Sequence, residues 1–156
     1  MNAAMIVLLL IHILAAVIWV GGMVFAHFML RPAALALEPP LRLPLFRRVF
    51  ERFFPVVWVI VTLLLATGFA MVFVGFGGFA TVPSYVNVML GLGIVMMLAF
   101  GHLFFGPWRR MRRALDGNDF PGGGAALNQI RTIVVFNTYL GLIVIAVAAT
   151  GRYWGA

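Results

Sequence analysis

Four long apolar runs, separated by short polar or basic segments, constrain this sequence more than any other feature. They cover approximately residues 4–30, 55–74, 85–105 and 130–150. A helix crosses the hydrocarbon of a bilayer with about 20 consecutive apolar residues. Each run is therefore long enough to span a membrane. The sequence therefore predicts an all-α fold, an integral membrane four-helix bundle formed by a single transmembrane domain over residues 1–156.

The overall composition agrees with lipid as the solvent. Of the 156 residues, 64% are hydrophobic and 10% are charged, whereas soluble domains have about half apolar and about a quarter charged residues. We expect the first run to be a span and not a cleaved signal peptide, because it is long and Met1–Asn2 supplies no basic segment before it. The lack of cysteine excludes disulfides, thiolate metal sites and cysteine nucleophiles.

All eleven basic residues are arginines, and their placement predicts the orientation. They sit at the ends of apolar runs, which favours lipid headgroups over nucleic acid as partners. Only Arg152 falls outside two segments, the one after the first run and the one after the third run taken together with the start of the fourth helix. The positive-inside rule places those segments in the cytoplasm and both termini outside. The ten arginines are Arg31, Arg42, Arg47, Arg48, Arg52, Arg109, Arg110, Arg112, Arg113 and Arg131.

This distribution predicts a multi-pass protein of the bacterial inner (cytoplasmic) membrane, with anionic headgroups bound at its cytoplasmic face. Tyr153 and Trp154 are expected in an outer aromatic belt and Trp108 in an inner one. The sequence leaves open whether the protein forms a homo-oligomer or belongs to a larger membrane complex.

Prolines and glycines predict the helix ends. Arg31–Pro32 ends the first span, because a residue before proline avoids helical geometry. Pro55 suits the first turn of the second span, and Gly106–Pro107 stops the third. Residues 116–124 have the composition of a turn, so the fourth helix is expected to begin near Ala125.

The segment Leu45–Phe54 has one basic and one aromatic face. This pattern predicts a short amphipathic helix in the membrane interface, attracted to anionic lipid. A helical extension of the second span is the alternative. The two faces are Arg47, Arg48, Glu51, Arg52 and Phe46, Val49, Phe50, Phe53.

Polar side chains within the spans are the candidate site residues, because polar groups are costly in hydrocarbon. A helical repeat of about 3.6 residues places them on stripes that we expect to face the bundle interior. His27 and His102 fall at similar depth near the basic end. The stripes are His12, Trp19, Met23, His27 on the first span, Asn87, Gly91, Val95, Leu98, His102 on the third, and Asn137, Gly141 on the fourth.

Imidazoles on facing helices commonly hold a metal or haem. We therefore predict a b-type haem or copper between His27 and His102, with arginines balancing propionate charge. His12 is expected to hydrogen-bond across the bundle, with Asn87 as a suitable donor or acceptor. Each histidine could instead form only a helix–helix hydrogen bond. The candidate residues are His27, His102, Arg31, Arg109 and Arg131 for a cofactor, and His12, His27, His102 and Met23 for a metal.

An ordered set of short motifs extends over nearly the whole chain. It includes Ile11–His12, Trp19–Met23, Leu30–Ala34, Phe53–Trp58, Phe76–Phe79, His102–Phe105, Leu127–Arg131 and Gly151–Trp154. This set resembles the copper-resistance D (CopD) family of small bacterial membrane proteins. The resemblance implies copper uptake or resistance.

A more distant similarity, through His12, Trp19, Met23 and His102, is to HemJ-type protoporphyrinogen oxidases, which are haem-b membrane proteins. Asn87 stands where both families are expected to have a histidine, and the chain has no lysine, so this oxidase activity is not predicted. We predict a membrane protein that binds b-type haem or copper through histidines. A copper permease and a non-catalytic subunit or scaffold are the alternatives.

Overall fold

The computed structural model describes residues 3–154, and it is helical with no strand in that range. The elements are α1 (Ala3–Phe25), a π-helical turn (Ala26–Leu30), α2 (Arg31–Ala34), α3 (Pro39–Phe76), a 3-10 turn (Phe79–Thr81), α4 (Ser84–Phe105), α5 (Pro107–Asp116), α6 (Phe120–Thr150) and a 3-10 turn (Gly151–Tyr153).

Four helical segments are long and apolar enough to cross a membrane. They are Ala3–Ala34, Pro39–Phe76, Ser84–Asp116 and Phe120–Tyr153. The all-α prediction with four membrane helices is therefore confirmed.

The helices form a bundle in which α1 packs against α3 and α4 packs against α6, while α6 also contacts α1 and α3. Short connections join successive spans, as in an antiparallel bundle. One end consequently gathers α2, α5 and the first turns of α3 and α6. We call it the arginine-rich end, because it carries every arginine except Arg152.

Aromatic rings fill the bundle where α3 meets α4 and α5. Phe50 and Phe54 stack with centroids 4.9 Å apart, Phe54 meets the Trp108 ring edge-on at 5.3 Å, and Trp58 meets Phe100 at 5.2 Å. Trp108 is only 3% exposed, so its assignment to an inner aromatic belt is wrong. The helix breaks at Gly106, and Trp108 near the start of α5 packs against Phe50 and Phe54 of α3.

Pro32 and Pro55 do not mark helix boundaries as the sequence predicts, whereas α4 does end before Gly106–Pro107. At Pro32 the helix widens into the π turn, in which the Arg31 N–H bonds to the Ala26 carbonyl five residues back. The wider turn accommodates a ring that would clash within a regular α-helix, and the helix continues to Ala34. Pro55 lies inside α3 and does not begin it.

The segment Leu45–Phe54 is the first part of α3, so the extension of the second span is correct and a separate interfacial helix is wrong. Phe46 and Phe50 are buried in the core, because the neighbouring helices cover them.

The fourth span begins earlier than predicted, at Phe120 instead of near Ala125. The Asp119 carboxylate accepts a hydrogen bond of 2.9 Å from the Gly122 N–H, and such a cap stabilises a helix start. The glycines that predicted a turn are therefore in the first turns of α6.

Candidate functional site

A pocket of about 330 Å³ opens at the arginine-rich end between the π turn, the first part of α3 and the first part of α6. Its walls are mainly apolar, with Phe46, Phe50 and Ile130 among them. Its polar side chains come from all three elements. They are His27, Arg31, Arg42, Asn128 and Arg131.

His27 enters this pocket from the π turn. Its Nδ1 is buried and has no hydrogen-bond partner, while its ring packs edge-on against Phe28 with centroids 4.7 Å apart. Buried side-chain nitrogens are nearly always hydrogen-bonded or coordinated. An unpaired imidazole nitrogen beside a pocket therefore marks His27 as a candidate ligand-binding residue.

Three guanidinium groups surround the same pocket. Arg31, Arg42 and Arg131 form no ion pair, and within residues 3–154 the ion pairs join Arg47 to Glu51 at 2.9 Å and to Asp116 at 2.6 Å. Unpaired guanidinium groups bind carboxylates and phosphates strongly. The pocket suits a ligand with an apolar body, anionic groups and an atom that an imidazole can coordinate or hydrogen-bond.

The structure brings together only part of the predicted cofactor set. His27, Arg31 and Arg131 line one pocket. His102 is exposed on α4 and Arg109 lies 5.2 Å from the Phe105 ring centroid, and neither lines that pocket. The predicted pair of His27 with His102 on interior faces is therefore wrong.

The periodicity of apolar residues predicted the wrong orientation for His102. A membrane helix is apolar both on the side that faces lipid and on the side that faces the core. The predicted third-span stripe is the exposed side of α4, whereas Met96, Phe100 and Leu103 face the core. Gly91 is exposed as well, with no atom within 4 Å of an added Cβ. Arg42 and Asn128 also line the pocket but were not predicted as site residues, because Arg42 indicated only the orientation and Asn128 was only part of a motif.

The first-span stripe does face the interior, and Trp19 and Met23 are both buried. His12 makes a cross-bundle hydrogen bond, as predicted, with its Nδ1 2.7 Å from the Thr67 Oγ1 on α3. The expected partner Asn87 is instead exposed on α4. The Thr67 hydroxyl also donates to the Leu63 carbonyl at 2.6 Å. Because a hydroxyl has one proton, the His12 Nδ1 is the donor in their shared bond.

The predicted metal ligands do not meet at one point. Within the described range, no group of three or more histidine, cysteine or acidic side chains could hold a metal ion. Met23 belongs to the buried core and does not line the pocket of His27.

These features define a multi-pass helical membrane protein with a histidine- and arginine-lined pocket at one end of its bundle. The sequence model of the family described as Copper resistance protein D (CopD) matches residues 47–150. This stretch is more than half of the chain, which therefore belongs to the CopD family. The comparisons with curated proteins and with solved structures found no match.

The family match covers α4, α5, α6 and most of α3. Within the pocket it includes Arg131 and Asn128, whereas His27, Arg31 and Arg42 precede it. The family match therefore identifies the bundle and not the ligand of the pocket.

Proposed function

We propose that this CopD-family membrane protein binds b-type haem in the pocket at the arginine-rich end. His27 would supply an imidazole ligand for the iron, and Arg31, Arg42 and Arg131 would hold the propionates. The observation that carries the proposal is a histidine with a buried, unpaired Nδ1 in a pocket with three unpaired arginines.

The side chains that line the pocket fit an anionic porphyrin better than a bare metal ion. His27 is the one pocket side chain in the described range with a nitrogen suited to a metal, and the three arginines repel a free copper ion. Carboxylates of a porphyrin would instead form charge-assisted hydrogen bonds with the arginines. Phe46, Phe50 and Ile130 would exclude water from the macrocycle. When bound, haem supplies a one-electron redox centre whose potential depends on such burial.

Copper handling is the second candidate, because the family description names copper resistance. His27 and the thioether of Met23, one helical turn before it, are ligand types that Cu(I) accepts. A copper permease would need such ligands to connect the two ends. A non-catalytic subunit or scaffold follows if the protein holds neither haem nor copper.

We further propose that the arginine-rich end faces the cytoplasm of a bacterium, with both termini outside the inner membrane. Ten of the eleven arginines support this orientation. The exposed arginines Arg48, Arg52 and Arg112 would then contact anionic headgroups.

The test is a visible spectrum and a copper assay on detergent-purified protein, before and after incubation with haemin. We expect a Soret band in the parent protein and its loss in His27→Ala. Arg42→Gln should weaken haem binding about tenfold or more, since a hydrogen bond to a charged group contributes about 1.5–3 kcal/mol.

His102→Ala and Arg109→Gln are the matched controls, because both residues lie outside the pocket, and they should bind haem like the parent. Loss of the band only in His12→Ala would contradict the pocket and move the site to the other half of the bundle. Copper without a Soret band would favour the second candidate. A protein that holds neither haem nor copper would favour the scaffold.

A further inference from the structure

The side of α4 that points away from the bundle is exposed along the whole length of the helix. Ser84, Gly91, Leu98 and Phe105 are all exposed, and Leu98 is the most exposed large apolar residue, at 69%. Asn87 and His102 lie on the same side and are exposed too. Positions seven residues apart lie on one face of an α-helix, so these residues form one continuous exposed face.

The polar groups on this face have no partner within their own chain. Neither the Asn87 amide nor the His102 imidazole forms a hydrogen bond to any described residue. The hydroxyls of exposed threonines elsewhere bond to nearby backbone carbonyls, as the Thr62 Oγ1 does to the Trp58 carbonyl at 3.0 Å. Because lipid tails offer no hydrogen bonds, a face with an unpaired amide and imidazole favours contact with another protein surface.

The middle of the same face is open enough for a second helix to approach. An added Cβ at Gly91 or Gly101 meets no atom of the chain within 4 Å. These glycines therefore do not serve packing inside this bundle. Small residues at exposed positions of membrane helices allow two backbones to come close.

We propose that a second copy of this chain packs its α4 against this face, related by a two-fold axis along the membrane normal. Two copies inserted in the same orientation place residues of the same number at the same depth. An amide and a neutral imidazole each donate and accept hydrogen bonds, so Asn87 and His102 are self-complementary across such an axis. This self-complementarity is what an isologous dimer requires, and it favours a second copy over an unrelated partner.

The dimer does not depend on haem or copper binding, and the chain suits a direct test because it contains no cysteine. Leu98→Cys, oxidised in native membranes, should form a disulfide-linked dimer on a denaturing gel. Disulfides need Cα atoms within about 7 Å, so the bond reports α4 against α4. Leu14→Cys is the matched control, because Leu14 is 52% exposed on the aliphatic outer face of α1, and it should stay monomeric.

A second variant separates association from folding. Gly91→Leu in the Leu98→Cys background adds a side chain where its own chain has no atoms, so the protein should fold and purify normally while losing most of the cross-link. Three outcomes would overturn the proposal. They are no dimer with Leu98→Cys, equal dimer with Leu14→Cys, and cross-linking of Leu98→Cys to a different protein.

Discussion

His12 and His27 lie on one face of the first membrane helix, yet their ring nitrogens differ in hydrogen bonding. The His12 Nδ1 donates to the Thr67 hydroxyl at 2.7 Å, whereas the His27 Nδ1 is buried without a partner. A satisfied imidazole serves helix–helix packing, and an unsatisfied one is available to a ligand. The difference arises from α3, which places a threonine opposite His12 and only the pocket beside His27.

Replacing Thr67 tests the structural role of His12. Thr67→Val preserves the side-chain shape but leaves the buried His12 Nδ1–H without an acceptor, so the free energy of unfolding should fall by about 1–3 kcal/mol. Thr62→Val is the matched control, since the Thr62 hydroxyl bonds only to its own helix and its loss should change stability little. Thermal unfolding in detergent measures both. Equal stability of the two variants would contradict a stabilising His12–Thr67 bond.

At the scale of the helix, Gly141 shows where α6 needs a small residue. An added Cβ there would lie 2.7 Å from the Val20 Cγ2 and 3.3 Å from the Met96 Cε, so α1, α4 and α6 meet closely at this point. One turn earlier the Asn137 Nδ2 donates to the Met96 carbonyl at 3.0 Å. Close approach and an interhelical hydrogen bond together fix α6 against α4.

Gly141→Leu should therefore destabilise the bundle. Overpacking of a tight contact typically costs about 1–3 kcal/mol, and leucine extends well beyond a Cβ, so we expect a lower melting temperature and a lower yield of monodisperse protein. Gly21→Leu is the control, because Gly21 is exposed on α1 with no atom within 4 Å of an added Cβ, so this variant should melt like the parent. A normal melting curve for Gly141→Leu would contradict the packing of α6 against α1.

The helices of this chain were predictable from the sequence, but not all of their faces. Long apolar runs and the break at Gly106–Pro107 locate the spans, because length in lipid is a strong constraint. The face that α4 turns to the core was misassigned, since lipid is as apolar as the core and periodicity alone cannot separate the two. His27, Arg31 and Arg131 line one pocket, because one helical turn separates the first two at a helix end that the basic segments share. That they hold a cofactor stays a prediction.

At the scale of the whole molecule, the antiparallel order of the spans gathers charge at one end of the bundle. The pocket lies at that end, lined by the turn before α2 and by the first parts of α3 and α6. A ligand with anionic groups would therefore approach from the same side as the anionic headgroups that the exposed arginines attract. The orientation of the bundle thus decides from which compartment the pocket is reached.

The orientation of the bundle in the membrane can be tested directly. Arginine-rich loops stay in the cytoplasm because positively charged segments are translocated poorly, and ten of the eleven arginines lie at one end. Single-cysteine variants can report it in this cysteine-free chain, using Gly117→Cys at the arginine-rich end and Ala80→Cys at the opposite end, both exposed. In intact cells a membrane-impermeant maleimide should label Ala80→Cys and not Gly117→Cys. Permeabilised cells should label both, which controls for reactivity. Labelling of Gly117→Cys in intact cells would reverse the orientation and place the His27 pocket outside the cytoplasm.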